Sequence, residues 1–194
     1  MQYLYTMTFQ QASALISPAE PFLSMAGGPT GTAVSSEEPR YWADLGCGSG
    51  LFTKALAQLL PTGSTVYGVD THPTLRQQDI NSGSAYSIIP IQNDFINDVL
   101  KLPMLDGILM ANSLHYVKDK PALIKKLRSY MRPGSPLLIV EYDTDQPVPT
   151  WVPYPIRYDA LVRFFANDAH VQKLGERPSV FGHANIYAAL IQPR

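Results

Sequence analysis

The sequence predicts an α/β fold in three layers, with helices on both faces of a mostly parallel sheet. Short apolar runs of strand length alternate with stretches of helical periodicity, the pattern that builds such a sheet. A glycine-rich joint, Trp42-Ala-Asp-Leu-Gly-Cys-Gly-Ser-Gly50, also links the first of these strands directly to an amphipathic helix. The final two strand-like runs lack a convincing helix between them, which predicts an antiparallel pair closing a seven-stranded sheet.

The elements follow in order. Tyr41 to Leu45 is the first strand, and Leu51, Phe52, Ala55, Leu56, Leu59 and Leu60 recur at helical spacing after it. Further strands are expected at Thr65 to Val69, Ser87 to Asn93, Gly107 to Ala111, Leu137 to Tyr142, Val171 to Leu174 and Ile186 to Ile191. Helices are expected after Pro73, over Pro121 to Met131 with Asp119 as N-cap and Pro133-Gly134 as the stop, and over Tyr158 to Asn167. In the last of these, Leu161, Val162, Phe164 and Phe165 are expected to face inward. Phe9 to Ile16 reads as a short amphipathic helix. Ser17 to Pro39, rich in Pro, Gly and Ser, has no apolar period and reads as a terminal arm. Asp143 to Pro155 carries prolines at 147, 149, 153 and 155 around Trp151 and Tyr154, a stiff loop suited to an acceptor wall or to covering core.

Length and charge narrow the function. At 194 residues, one domain is expected: an N-terminal segment (1–39), a ligand-binding core (40–142) and an acceptor-side remainder (143–194). Fifteen basic and sixteen acidic residues give a formal net charge of −1, so no global positive field recruits nucleic acid. No run reaches membrane-spanning length and Met1 to Ile16 lacks a signal-peptide pattern, so a cytoplasmic protein is expected. Histidines 72, 115, 170 and 183 show no paired ligand spacing, so no metal is expected. Cys47, the sole cysteine, reads as a small residue that fits between loop glycines.

Gly46, Gly48 and Gly50 let the backbone turn sharply and let a ligand lie against bare peptide. A dinucleotide fingerprint sets its third glycine three positions after its second, whereas here one residue intervenes. Asp44, just ahead of the loop, would repel a diphosphate and suit an ammonium. The motif resembles the first motif of class I S-adenosylmethionine-dependent methyltransferases, whose Rossmann-like sheet ends in an antiparallel pair. On that resemblance Asp44, Leu45, Gly46, Cys47, Gly48 and Gly50 bind the cofactor S-adenosylmethionine. Asp70 ends the second strand, where a carboxylate can accept from two ribose hydroxyls. Thr71 and His72 follow at the same edge and could flank the adenine.

The resemblance extends from about Tyr41 to Tyr142, and it makes Ser17 to Pro39, the segment before the first strand, a lid over the cofactor as the alternative to a terminal arm. It gives Asp94 and Phe95 to the adenine, and Asn112, Ser113 and His115, in Leu105 to Val117, to the region of the transferable methyl. Asp106 opens that strand at the opposite end of the sheet and is excluded. His115 is the first candidate base, with Tyr142 and Asp143 second; a histidine that packs or caps the next helix is the alternative. Asn112-Ser-Leu-His lacks the proline pair typical of amino-methylating enzymes of bases and glutamine, which favours a small-molecule acceptor. A nicotinamide oxidoreductase and a non-catalytic partner subunit are the rival readings.

Overall fold

The computed structural model describes residues 7–23, 37–75, 85–179 and 184–194. Seven strands form one sheet: β1 (Tyr41–Leu45), β2 (Ser64–Asp70), β3 (Tyr86–Gln92), β4 (Gly107–Ala111), β5 (Leu137–Tyr142), β6 (Ala169–Pro178) and β7 (Asn185–Pro193). Their spatial order is β3-β2-β1-β4-β5-β7-β6. The first five strands pair in parallel, and β7 runs antiparallel to both β5 and β6. This is the predicted Rossmann-like sheet with its antiparallel C-terminal hairpin.

Burial follows from composition. All five residues of β4 are buried, as are five of the six in β5, which a strand covered on both faces requires. At the sheet edge β3 buries Ile88 alone and carries Pro90, a residue that cannot donate to a ladder. Alternation divides the interior in two. Ala43, Leu45, Ile108, Met110, Ile139 and Tyr187 face one core, and Trp42, Leu109, Ala111, Leu138, Val140 and Ile186 face the other.

The second core is covered by α1 (Phe9–Ile16), a 3-10 turn at Ser17–Ala19, α2 (Glu20–Leu23) and α3 (Leu51–Ala57). α1 begins with a capping box in which Thr8 and Gln11 exchange side-chain and backbone bonds. The first core is covered by α4 (Lys120–Arg128) and α5 (Tyr158–Phe165). Asp119 caps α4 by accepting from the Ala122 N–H at 2.9 Å.

Some boundaries differ from expectation. α3 stops at Ala57, α4 at Arg128 before Pro133-Gly134 is reached, and α5 at Phe165. Val162 is 36% exposed, since only Leu161 and Phe165 are buried on that helix and Phe164 packs in part. The stretch 17–39 is helical as far as Leu23, and its residues 24–36 lie outside the described residues, as do 76–84 of the helix expected after Pro73. Asp106 belongs to the far edge as expected, accepting from the Tyr41 N–H at 2.8 Å and pairing with Arg132 at 3.2 Å.

Gly107 lies opposite Trp42 in the β1–β4 ladder, and a Cβ there would overlap the fully buried indole. Gly107→Ala should therefore destabilise the fold by about 1–3 kcal/mol through overpacking. Urea denaturation reads this directly, and an unchanged midpoint would contradict the packing.

Candidate active site

β1 and β4 are neighbours, yet the chain between them builds β2 and β3 on the far side of β1. The strand order reverses at that junction, and open α/β sheets bind ligands in the crevice at the carboxyl ends there. The glycine loop occupies it. The Gly46 and Cys47 N–H groups donate to the Val69 carbonyl at 2.7 and 3.1 Å. Gly48 donates to Asp70 Oδ2 at 2.9 Å, and His72 N–H donates to Asp70 Oδ1 at 2.9 Å. Gly46, Gly48 and Gly50 all have positive φ, at 83°, 50° and 79°. A Cβ on Gly46 would strike Ser113, whereas a Cβ on Gly48 would meet nothing within 4 Å, so the peptide at Gly48 borders open space.

Asp44 sits beneath this loop, buried, on the sheet face shared with Trp42. Its Oδ2 accepts the Thr53 hydroxyl at 2.6 Å, tying β1 to α3. Its Oδ1 is buried with no hydrogen-bond partner among the described residues. Burial pushes the carboxyl up to about 7, with the Thr53 bond opposing and the charge of Asp70 adding to the rise. An orphaned buried acceptor beside bare glycine peptide fits a ligand that brings an ammonium donor. The chain offers two further buried, unpartnered carbonyl oxygens, on Asn93 and on Asn112, the latter held at φ 54°.

The other expected residues fall into place unevenly. Ser113 is buried and donates to the Leu45 carbonyl at 2.5 Å, bracing the loop from β4. Phe95 is buried near Gly46, and its carbonyl accepts from Lys126 at 3.1 Å. Asp94 is more committed than expected: it accepts from Ile96 and Asn97 N–H and from the Asn97 amide, which holds its carboxyl below the usual range. Thr71 and His72 are exposed at the rim. Cys47 is buried, and its desolvated thiol, also facing the charges of Asp44 and Asp70, is pushed far up, which suits packing rather than nucleophilic chemistry.

The candidate bases separate clearly. His115 is only 2% exposed; its N–H donates to Glu141 Oε1 at 3.0 Å and its Nδ1 lies 2.7 Å from Glu141 Oε2. Asp143 Oδ1 accepts from the Tyr158 N–H at 2.9 Å, so it holds the first turn of α5. Tyr142 lines a pocket of about 600 Å³ with Thr144, Val148, Trp151, Val152 and Ser179. Burial and the nearby Glu141 raise its phenol above the ordinary value. The proline-rich loop forms one wall, turning at Thr150 (φ 74°) between the bridged Val148 and Val152. Lys120 Nζ fixes the loop's far end by donating to the Val117 and Tyr154 carbonyls at 2.9 and 2.7 Å, while Tyr154 N–H donates to the His115 carbonyl.

Sequence reasoning passed over Thr53, Glu141 and Asn93. A carboxylate inside the otherwise apolar strand Leu-Leu-Ile-Val-Glu was the signal for a buried partner, because an unpaired charge there is costly.

A family model described as a methyltransferase domain matches residues 25–177. The chain belongs to this methyltransferase family. The match supports the class I assignment and S-adenosylmethionine as cofactor, over a dinucleotide. Among curated proteins, trans-aconitate 2-methyltransferase of Mycolicibacterium gilvum is 28% identical over 53% of this chain and 38% of its own length. Malonyl-[acyl-carrier protein] O-methyltransferase of Halalkalibacterium halodurans is 29% identical over 57% and 42% respectively. The chain thus spans about two fifths of these relatives. The fold resembles magnesium protoporphyrin IX methyltransferase of Synechocystis PCC 6803, solved with bound SAM (TM-score 0.62, 16% identity, covering 98% of this chain and 85% of that one). It also resembles the plantazolicin methyltransferase BpumL, solved with SAH (TM-score 0.61, 16% identity, 95% and 86%).

Because Asp44 holds its proton more tightly when folded, the ligand-free fold loses stability as pH rises from 3.8 towards about 7. Asp44→Asn, which cannot ionise, should remove that part of the decline. Thermal melts of both proteins across this range measure the difference; parallel profiles would contradict the burial argument.

Proposed function

We propose that the chain transfers a methyl group from S-adenosylmethionine to a small-molecule acceptor seated in the pocket beside Tyr142. The observation that carries this reading is the buried, unpartnered Asp44 oxygen under a bare glycine loop at the sheet's reversal point. In this reading Asp44 and the peptides of Leu45 to Gly48 receive the aminoacyl end of the cofactor, and Gly50 turns the chain into α3. Asp70 receives the ribose, and Thr71 and His72 lie at the same edge towards the adenine. Asp94 and Phe95 flank the adenine, with Asn93 as an added acceptor, and Asn112 and Ser113 shape the floor.

When bound, S-adenosylmethionine supplies a methyl already activated on a positive sulfur. The protein's share is alignment, and orientation alone can lower a barrier by several kcal/mol, up to roughly 7–11. Tyr142 meets the acceptor, and Trp151, Val148 and Val152 exclude water from it. His115 serves as a positioning residue: with its N–H and Nδ1 both on Glu141, it fixes the turn after β4 and, through its carbonyl, the proline loop. Asp143 fixes α5 in the same manner. The relatives' names, which specify trans-aconitate, malonyl-[acyl-carrier protein] and plantazolicin, support small or peptide-like acceptors rather than nucleic acid.

Asp70→Ala should weaken S-adenosylmethionine binding by at least about tenfold, since each charge-assisted hydrogen bond contributes roughly 1.5–3 kcal/mol. Titration calorimetry measures it, and an unaltered affinity would remove the ribose assignment. S-adenosylhomocysteine release across an acceptor panel tests turnover itself.

With an acceptor in hand, His115→Gln should lower kcat while leaving the pH profile's shape unchanged. Loss of its acidic limb would instead make His115 the base.

A further inference from the structure

Arg177 is a cation without a counterpart among the described residues. Its Nη1 is buried, and neither a hydrogen bond nor an ion pair reaches it from the described residues. A guanidinium is always charged and carries five donors, so burying part of one unpaired is costly unless a ligand completes it.

Its position says where that ligand lies. Arg177 pairs with Ile186 on β7, and Ile186 pairs with Tyr142 on β5. Residues opposite one another in a ladder project from the same face, so Tyr142, Ile186 and Arg177 form one row. Alternation puts Thr144, Ala184 and Ser179 one step further along that face, where the Ser179 N–H still donates to the Ala184 carbonyl at 2.9 Å. Tyr142, Thr144, Ser179 and Ala184 all line the acceptor pocket. Arg177 therefore stands in the last strand row before the pocket floor. The register shift between Lys173 and Gly175 puts it there, since one residue fewer would turn it to the opposite face.

None of the described residues lining the pocket is charged, Arg177 standing one row below them, and the wall of Trp151, Val148 and Val152 is apolar. We propose that Arg177 is the specificity-determining residue of this pocket, selecting acceptors that join a flat apolar body to an anionic carboxylate. The apolar body lies against Trp151 and Tyr142, and the carboxylate takes paired donors from the guanidinium. This assignment rests on the reading of the pocket as the acceptor site.

The test uses the full chain with two probes of equal shape, 4-phenylbutyrate and the neutral 4-phenylbutyramide. Their binding is titrated by tryptophan emission and by calorimetry, with and without S-adenosylhomocysteine. The wild-type protein should bind the acid at least tenfold more tightly than the amide. Arg177→Gln should erase that preference and Arg177→Lys should keep part of it, with S-adenosylmethionine affinity unchanged in both. Equal binding of the two probes to the wild type, no binding of either, or a preference that survives Arg177→Gln would overturn the proposal. If the acid preference follows Arg177 while no S-adenosylmethionine binds, the anion site stands and the methyl-transfer reading fails.

Discussion

The end of β2 grips the glycine loop, and the rest of the site depends on that grip. One carbonyl, on Val69, accepts two consecutive loop N–H groups, and one carboxylate, on Asp70, accepts a third from Gly48. Three donors that would otherwise need solvent are thereby fixed in direction. Because Asp70 also takes the His72 N–H, the same side chain sets the shape of both rims of the crevice. Ser113 supplies the opposing brace through the Leu45 carbonyl, so the loop is held from β2 on one side and from β4 on the other.

That frame explains why Asp44 can stay buried with half its carboxylate unsatisfied. Thr53 anchors one oxygen, and the raised affinity for a proton lets the ligand-free chain avoid a bare buried charge near neutrality. Bringing a cationic group to the other oxygen reverses the preference and favours the ionised form. On the proposed cofactor reading, binding and the protonation of one aspartate would be linked, and a local desolvation cost would become selectivity for a positively charged ligand.

The sheet and the glycine loop at its reversal point were legible because their signals are local. Glycine spacing, apolar runs of strand length and acidic strand ends can each be read within a few residues, and β1, β4, β5 and α1 have the predicted ends. The less legible parts depend on tertiary pairing. Nothing adjacent to His115 announces that Glu141, 26 residues later, occupies its Nδ1, and nothing near Asp143 announces that it holds a helix fifteen residues on. Val162 fits an apolar pattern yet points outward, because the stripe on α5 is narrower than its hydrophobic residues. Arg177 was the hardest to read, since its face depends on a register shift no composition reveals.

The proline-rich wall is tethered unevenly. At its base, Lys120 clasps Tyr154, and Tyr154 is bonded to the turn carrying His115, so this end is continuous with the scaffold. Its tip, from Val148 to Val152, closes on itself through an antiparallel bridge, with Trp151 64% exposed. Substitutions at the tip can therefore redraw the menu of admitted molecules without disturbing the machinery below. Diversification among descendants of such a chain would concentrate in those five positions.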